Sequence, residues 1–158
     1  MRYTSFEKTI FDKINNAIHD ITPGVQVQAY HGGRQICDLS VGNTHPYYDL
    51  ASLTKIIFTQ QAMMAAFDNG KWSFESKVVD FVPNFFNKEM KVTSLLTHTS
   101  HLDWWKPFYL DLVGSGEQDW IAKRQHLFAL LNSATNIKAS DKAVYSDLGF
   151  LVLGFILE

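Results

Sequence analysis

An α/β segment of one helix and an antiparallel hairpin, followed by an all-α region, is the fold class this sequence predicts. Three observations carry it: period-two alternation on both sides of Gly32-Gly33, helical spacing of apolar residues over 6–18 and 52–67, and no further alternating segment past Gly70. At 158 residues, 46% hydrophobic and 19% charged, the chain suits one globular domain or a part of one.

The first helix opens at Thr4, whose spacing to Glu7 matches a capping box, and Phe6, Ile10, Phe11, Ile14, Ala17 and Ile18 follow on one face up to Pro23-Gly24. Val25, Val27 and Ala29 then alternate with polar residues, Gly32-Gly33 supplies two permissive turn positions, and Cys37, Leu39 and Val41 resume the alternation. From Ser52 to Phe67 the period is helical again, ending at Asn69-Gly70. Beyond it come short helical pieces broken by Pro83 and Pro107, and a stronger helix around Asp119 to Leu131. Gly114-Ser115-Gly116 is a flexible connection, since the Gly-Lys-Ser/Thr ending of a phosphate loop is absent.

Several function classes fall away. A net charge of −2 offers no basic excess for a phosphate backbone or an anionic membrane, so no nucleic-acid partner is expected. The longest apolar run, Leu148 to Leu157, is far short of the roughly 20 residues of a membrane span. The N-terminus carries charges in place of an apolar h-region, which predicts a cytoplasmic chain, or a periplasmic one in processed form. Cys37, the single cysteine, reads as a small buried side chain. His98, His101 and Asp103 raise a metal site, but no second ligand cluster supports it, and His98 reads better as a hydrogen-bonded structural residue. Trp104, Trp105, Phe108 and Tyr109 suit core or interface packing, or the mouth of a pocket. Neither metal nor cofactor is expected.

Ser52 and Lys55 stand three apart at the start of a helical pattern. On one helix face the amine reaches the hydroxyl and helps remove its proton, while free N–H groups at the helix start favour a developing anion. Ser5 and Lys8 repeat the spacing, and there a helix start with a solvated lysine suffices. Tyr145-Ser146-Asp147 is the second candidate. A tyrosine is a poor base near neutrality unless cations such as a lysine ammonium surround it.

Asp49-Leu50-Ala51-Ser52-Leu53-Thr54-Lys55, Val92 to Ser100 and Tyr145-Ser146-Asp147-Leu148-Gly149-Phe150 occur in an order that resembles the serine β-lactamase and penicillin-binding-protein family, particularly its class C β-lactamase, DD-peptidase and esterase-like branch. Asn69-Gly70-Lys71, Val78 to Pro83 and the ending Leu153 to Glu158 extend the likeness over most of residues 22–158. The resemblance implies that Ser52 is the acylated nucleophile, Lys55 its activating partner and Tyr145 the proton shuttle. The Ser52 N–H would supply half of an oxyanion hole. The implied substrate is a β-lactam, a D-Ala-D-Ala peptide or an ester, passing through an acyl-enzyme.

Asp147 departs from the pattern, which usually has asparagine at this substrate-binding position. An amide donates to a substrate carbonyl, whereas a carboxylate only accepts and can pair with Lys55, holding it protonated. Aligning Ser146-Asp147-Leu148 with the Ser-Asp-Asn motif of class A enzymes fits less well, since it puts Leu148 at the binding amide. His101 replaces the usual glycine.

The resemblance further implies a partial β-lactamase/transpeptidase-like fold, the N-terminal part of a single domain: residues 1–50 hold the helix and hairpin, and 51–158 the nucleophile helix and all-α region. The remaining strands, with a Lys-Thr-Gly or His-x-Gly motif, are not in the sequence. A C-terminal segment, a second polypeptide or self-association is expected to complete it. The alternatives are a weakened, family-derived binding or scaffold protein and a fragment inactive alone.

Overall fold

The computed structural model describes residues 4–18, 20–133 and 142–158; Met1 to Tyr3, which open the charged N-terminus, and His19 in the first helix-to-hairpin stretch lie outside them. The chain divides into two compact units, Met1–Asp49 and Leu50–Glu158.

In the first unit, α1 (Ser5–Ala17) starts on the expected capping box: the Glu7 N–H donates to Thr4 Oγ1 at 3.2 Å, and the Thr4 N–H donates to Glu7 Oε2 at 2.8 Å. The hairpin pairs β1 (Gly24–His31) with β2 (Arg34–Gly42), antiparallel. Gly32 and Gly33 sit between the paired His31 and Arg34 with φ of 55° and 76°, the left-handed conformations that a tight hairpin turn demands. Pairing skips Ile36, a bulge that shifts register between Ala29 and Tyr30. The alternate residues Cys37, Leu39 and Val41 are buried, and α1 packs against their strand.

The second unit is helical. Its first helix opens in a turn at Ala51–Ser52, winds as a π-helical segment over Lys55–Thr59, and continues as α2 (Gln60–Asp68). The Gln60 N–H donates to the Lys55 carbonyl, one residue beyond the usual α-helical partner. The predicted helix is therefore present, but an extra residue is wound into it directly after the lysine, which apolar spacing alone does not register. Gly70, φ 66°, ends it as expected. There follow a single 3-10 turn at Val78–Asp80, α3 (Val92–Leu96), α4 (Phe108–Gly114), α5 (Trp120–Ser133) and α6 (Asp147–Leu157).

Val92 and Leu95 of α3 meet Leu148, Val152 and Leu153 of α6 in a core that also takes in Met63, Trp72, Phe85 and Leu131. Trp72 is seated by its Nε1–H, which donates to the Met63 carbonyl at 2.8 Å. Trp104 and Trp105 stack on each other at 5.9 Å but are exposed, so they do not contribute to this core. Among the described residues the sheet has two strands, and beyond them lies one isolated bridge between Lys77 and Lys91. A helix and a two-stranded antiparallel hairpin followed by a helical region make a partial β-lactamase/transpeptidase-like fold without the rest of the sheet. Leu53, Ile56, Phe58 and Met64 stay exposed along the first helix of the second unit. No helix among the described residues is long and apolar enough to cross a membrane.

Candidate active site

Ser52 lies at the very start of its helix, where the chain has just passed through a left-handed Ala51 (φ 44°). The strain of an alanine in that region is of the order of 1 kcal/mol, and such strain collects where side-chain aim matters. The backbone N–H groups of Leu53, Thr54 and Lys55 turn back to the carbonyls of Leu50, Ala51 and Ser52. The Ser52 N–H stands at the helix start, where the first amides of a helix have no intrahelical acceptor.

That winding brings Lys55 Nζ to 3.2 Å from Ser52 Oγ, to which it donates. The ammonium also forms an ion pair with Asp147 Oδ1 at 2.6 Å, and it lies 5.3 Å from the centre of the Tyr145 ring and 5.7 Å from that of Phe150. The Lys55 side chain is 15% exposed and that of Asp147 37%. Burial pulls the Lys55 ammonium down, but Asp147 first and the Tyr145 hydroxyl second more than offset it, leaving the lysine above its ordinary value. Ser52, Lys55 and Tyr145 line one cavity of about 430 Å³, together with His98, Leu96 and Phe150. Asp147 is not among its lining residues; its carboxylate carbon chain sits at the first turn of α6 and reaches back to the lysine.

The second arm of the site is stitched to the loop after α3. Ser146 caps α6, its Oγ accepting from the Gly149 N–H at 3.1 Å and donating to the Asp103 carbonyl at 2.8 Å. The Asp147 N–H donates to the Trp104 carbonyl at 2.8 Å. Leu148 is buried in the core and the Ser146 hydroxyl is consumed by the cap, so the geometry disfavours the class A alignment of this segment.

His98 belongs to the site more closely than its reading as a structural residue suggests. Its Nδ1 accepts from the Ser146 N–H at 3.1 Å, and its ring stands 4.6 Å from that of Tyr145. The signal was present in the motif Thr97-His98-Thr99, but spacing alone did not say which segment the imidazole meets. Asp103 pairs with Lys106 at 2.9 Å, and no group of three potential metal ligands occurs among the described residues.

A serine hydroxyl, a lysine and a tyrosine thus line one cavity, with the serine at a helix start. A family model described as Beta-lactamase matches residues 13–158. The chain belongs to that family, within the superfamily of serine hydrolases that also holds the DD-peptidases and penicillin-binding proteins. The match runs across nearly the whole chain, beginning earlier than the motifs alone indicated.

Among curated proteins, the chain is similar to a putative D-alanyl-D-alanine carboxypeptidase of Escherichia coli (strain K12), 26% identical over 124 residues, 73% of this chain and 28% of the relative. It is also similar to an N-acetylmuramyl-L-alanine amidase of Bacillus subtilis (strain 168), 26% identical over 139 residues, 82% of this chain and 31% of the relative. A putative D-alanyl-D-alanine carboxypeptidase of Salmonella agona (strain SL483) is 24% identical over 138 residues, 82% and 32% of the two chains. The chain thus spans about three tenths of the length of these relatives. No solved structure matches it.

Proposed function

We propose that this protein is a serine hydrolase in which Ser52 is acylated by a β-lactam, a D-Ala-D-Ala peptide or an ester, the acyl-enzyme then being hydrolysed. The observation that carries the reading is the 3.2 Å contact between Lys55 Nζ and Ser52 Oγ inside a cavity that Tyr145 also lines. In the first step the Ser52 oxygen attacks the substrate carbonyl while its proton passes to Lys55 or Tyr145, whichever has first given up its own proton, and that group then protonates the leaving group. The Ser52 N–H, at the helix start, is one donor for the oxyanion that forms. Water then repeats the attack on the acyl carbon and frees Ser52.

The relatives named as D-alanyl-D-alanine carboxypeptidases and as an amidase support a peptide or amide substrate. The apolar side chains exposed on the nucleophile helix support a site completed by further protein, from a C-terminal segment, a second polypeptide or another copy. Asp147 on Lys55 favours a second reading, a family-derived binding protein with weakened catalysis.

Labelling the full-length protein with a fluorescent penicillin separates the two. Covalent label on the wild type that is lost in Ser52→Ala supports the hydrolase. An absence of label and of p-nitrophenyl ester turnover in the wild type supports the binding protein.

A further inference from the structure

His98 stands just past the C-terminus of α3 in a left-handed conformation, φ 57°. That turn presents its carbonyl, its ring nitrogen and its ring face to one neighbouring segment. The His98 carbonyl accepts from the Val144 N–H at 2.9 Å, and Nδ1 accepts from the Ser146 N–H at 3.1 Å. The ring itself lies against Tyr145 with centres 4.6 Å apart and planes inclined at 36°. Residues 144, 145 and 146 are each held by a different part of one histidine.

We propose that His98 is a positioning residue for Tyr145, fixing the backbone N–H of the residue on either side of it, and its ring, so that the phenol meets Lys55 and Ser52. The inference rests on the reading that Tyr145 serves acylation of Ser52. Simple anchoring of α6 does not account for the arrangement. The helix start is already tied by Ser146 Oγ to the Asp103 carbonyl, by the Ser146 cap on Gly149 and by the Asp147 N–H on the Trp104 carbonyl. What His98 adds falls on the tyrosine ring and on the N–H groups of the two residues beside it.

An accepting Nδ1 needs its lone pair, so the imidazole is neutral and carries its proton on Nε2. Its surroundings favour that state: burial, and then the Lys55 charge, hold it below the ordinary histidine value, with Asp147 offsetting part of the effect. Lys55 faces it from the nucleophile helix, and Tyr145 and Asp147 from the segment leading into α6.

The test uses the full-length protein with His98→Ala, His98→Asn, Tyr145→Phe and the double variant His98→Ala/Tyr145→Phe. Asparagine tolerates a left-handed backbone and its Oδ1 replaces Nδ1 as acceptor. Acylation by fluorescent penicillin, or p-nitrophenyl ester turnover, should fall about 100-fold in His98→Ala with KM nearly constant, the loss expected for a group misplaced by about 1 Å. His98→Asn should recover most of it, and the double variant should be no slower than Tyr145→Phe alone. Amide hydrogen exchange supplies a reading independent of activity: protection at Ser146 should drop in His98→Ala and return in His98→Asn. An equal loss from His98→Ala with and without Tyr145, or unchanged protection at Ser146, overturns the proposal. Undiminished labelling of Ser52→Ala overturns the proposed function instead, and is told apart by that variant alone.

Discussion

Replacing Asp147 by asparagine removes a charge and keeps the shape, so it isolates what the ion pair does. Unit charges about 4 Å apart attract by about 4 kcal/mol where the effective dielectric is about 20. Solvent screening of a carboxylate that is 37% exposed reduces this to roughly 1–2 kcal/mol. That energy favours the charged lysine, whereas a lysine that takes the Ser52 proton must first be neutral. Asp147→Asn should therefore speed acylation of Ser52 at neutral pH by roughly tenfold, read by stopped-flow labelling with a fluorescent penicillin. Stability should move the other way, falling by roughly 1–2 kcal/mol because the cation is left without its partner. The sign with pH follows from the raised lysine. From neutral pH upward its contribution is complete below the ordinary value of about 10.4 and is lost as pH climbs through the higher folded value, so on the alkaline side wild type and variant should converge only in strong alkali. Slower acylation in Asp147→Asn, or a stability gap that closes between neutral pH and the ordinary lysine value, would refute the reasoning.

Two further predictions use the same site and its border. Lys55→Ala and Tyr145→Phe should each slow acylation of the full-length protein by about 100-fold or more, measured by single-turnover labelling; near-normal rates in both would remove them from the mechanism. His101→Gly should stabilise the protein by about 1 kcal/mol, seen as a higher midpoint in thermal unfolding, because His101 holds φ 59° and buries an Nδ1 with no partner among the described residues. A lower midpoint would mean that the imidazole packs better than its backbone strain costs.

Local physics made much of the fold legible. The Thr4 cap, the Gly32-Gly33 turn and the alternating burial of Cys37, Leu39 and Val41 depend on neighbours a few residues away, and each was readable as a pattern. The helix from Ser52 was readable too, but its π-wound start at Lys55–Thr59 was not, since one extra residue in a turn leaves the apolar spacing almost unchanged. His98 was readable as a hydrogen-bonded structural residue, which it is, but its partners were not. They depend on a left-handed backbone and on Val144 to Ser146, which lie far along the chain, and neither leaves a local periodicity. The exposure of Trp104 and Trp105 was hidden for the same reason: composition says an aromatic can be buried, not what is there to bury it.

The two Ser-x-x-Lys triplets of this chain make the point by contrast. Lys8 donates to Asp12 one turn further along α1 at 3.1 Å, with both side chains more than half exposed, and the Ser5 carbonyl accepts from Thr9 Oγ1. Such a pair is worth a few tenths of a kcal/mol and changes little chemically. Lys55 has the same spacing to its serine but is largely buried, and its charge partner arrives from the start of another helix. Burial is what makes the difference. It lengthens the reach of each charge, so Asp147 and Tyr145 govern whether the lysine holds or releases a proton next to Ser52. The proposed nucleophile is thus specified less by the triplet than by the core contacts of α3 and α6 that bring residues 98 and 145–147 to it.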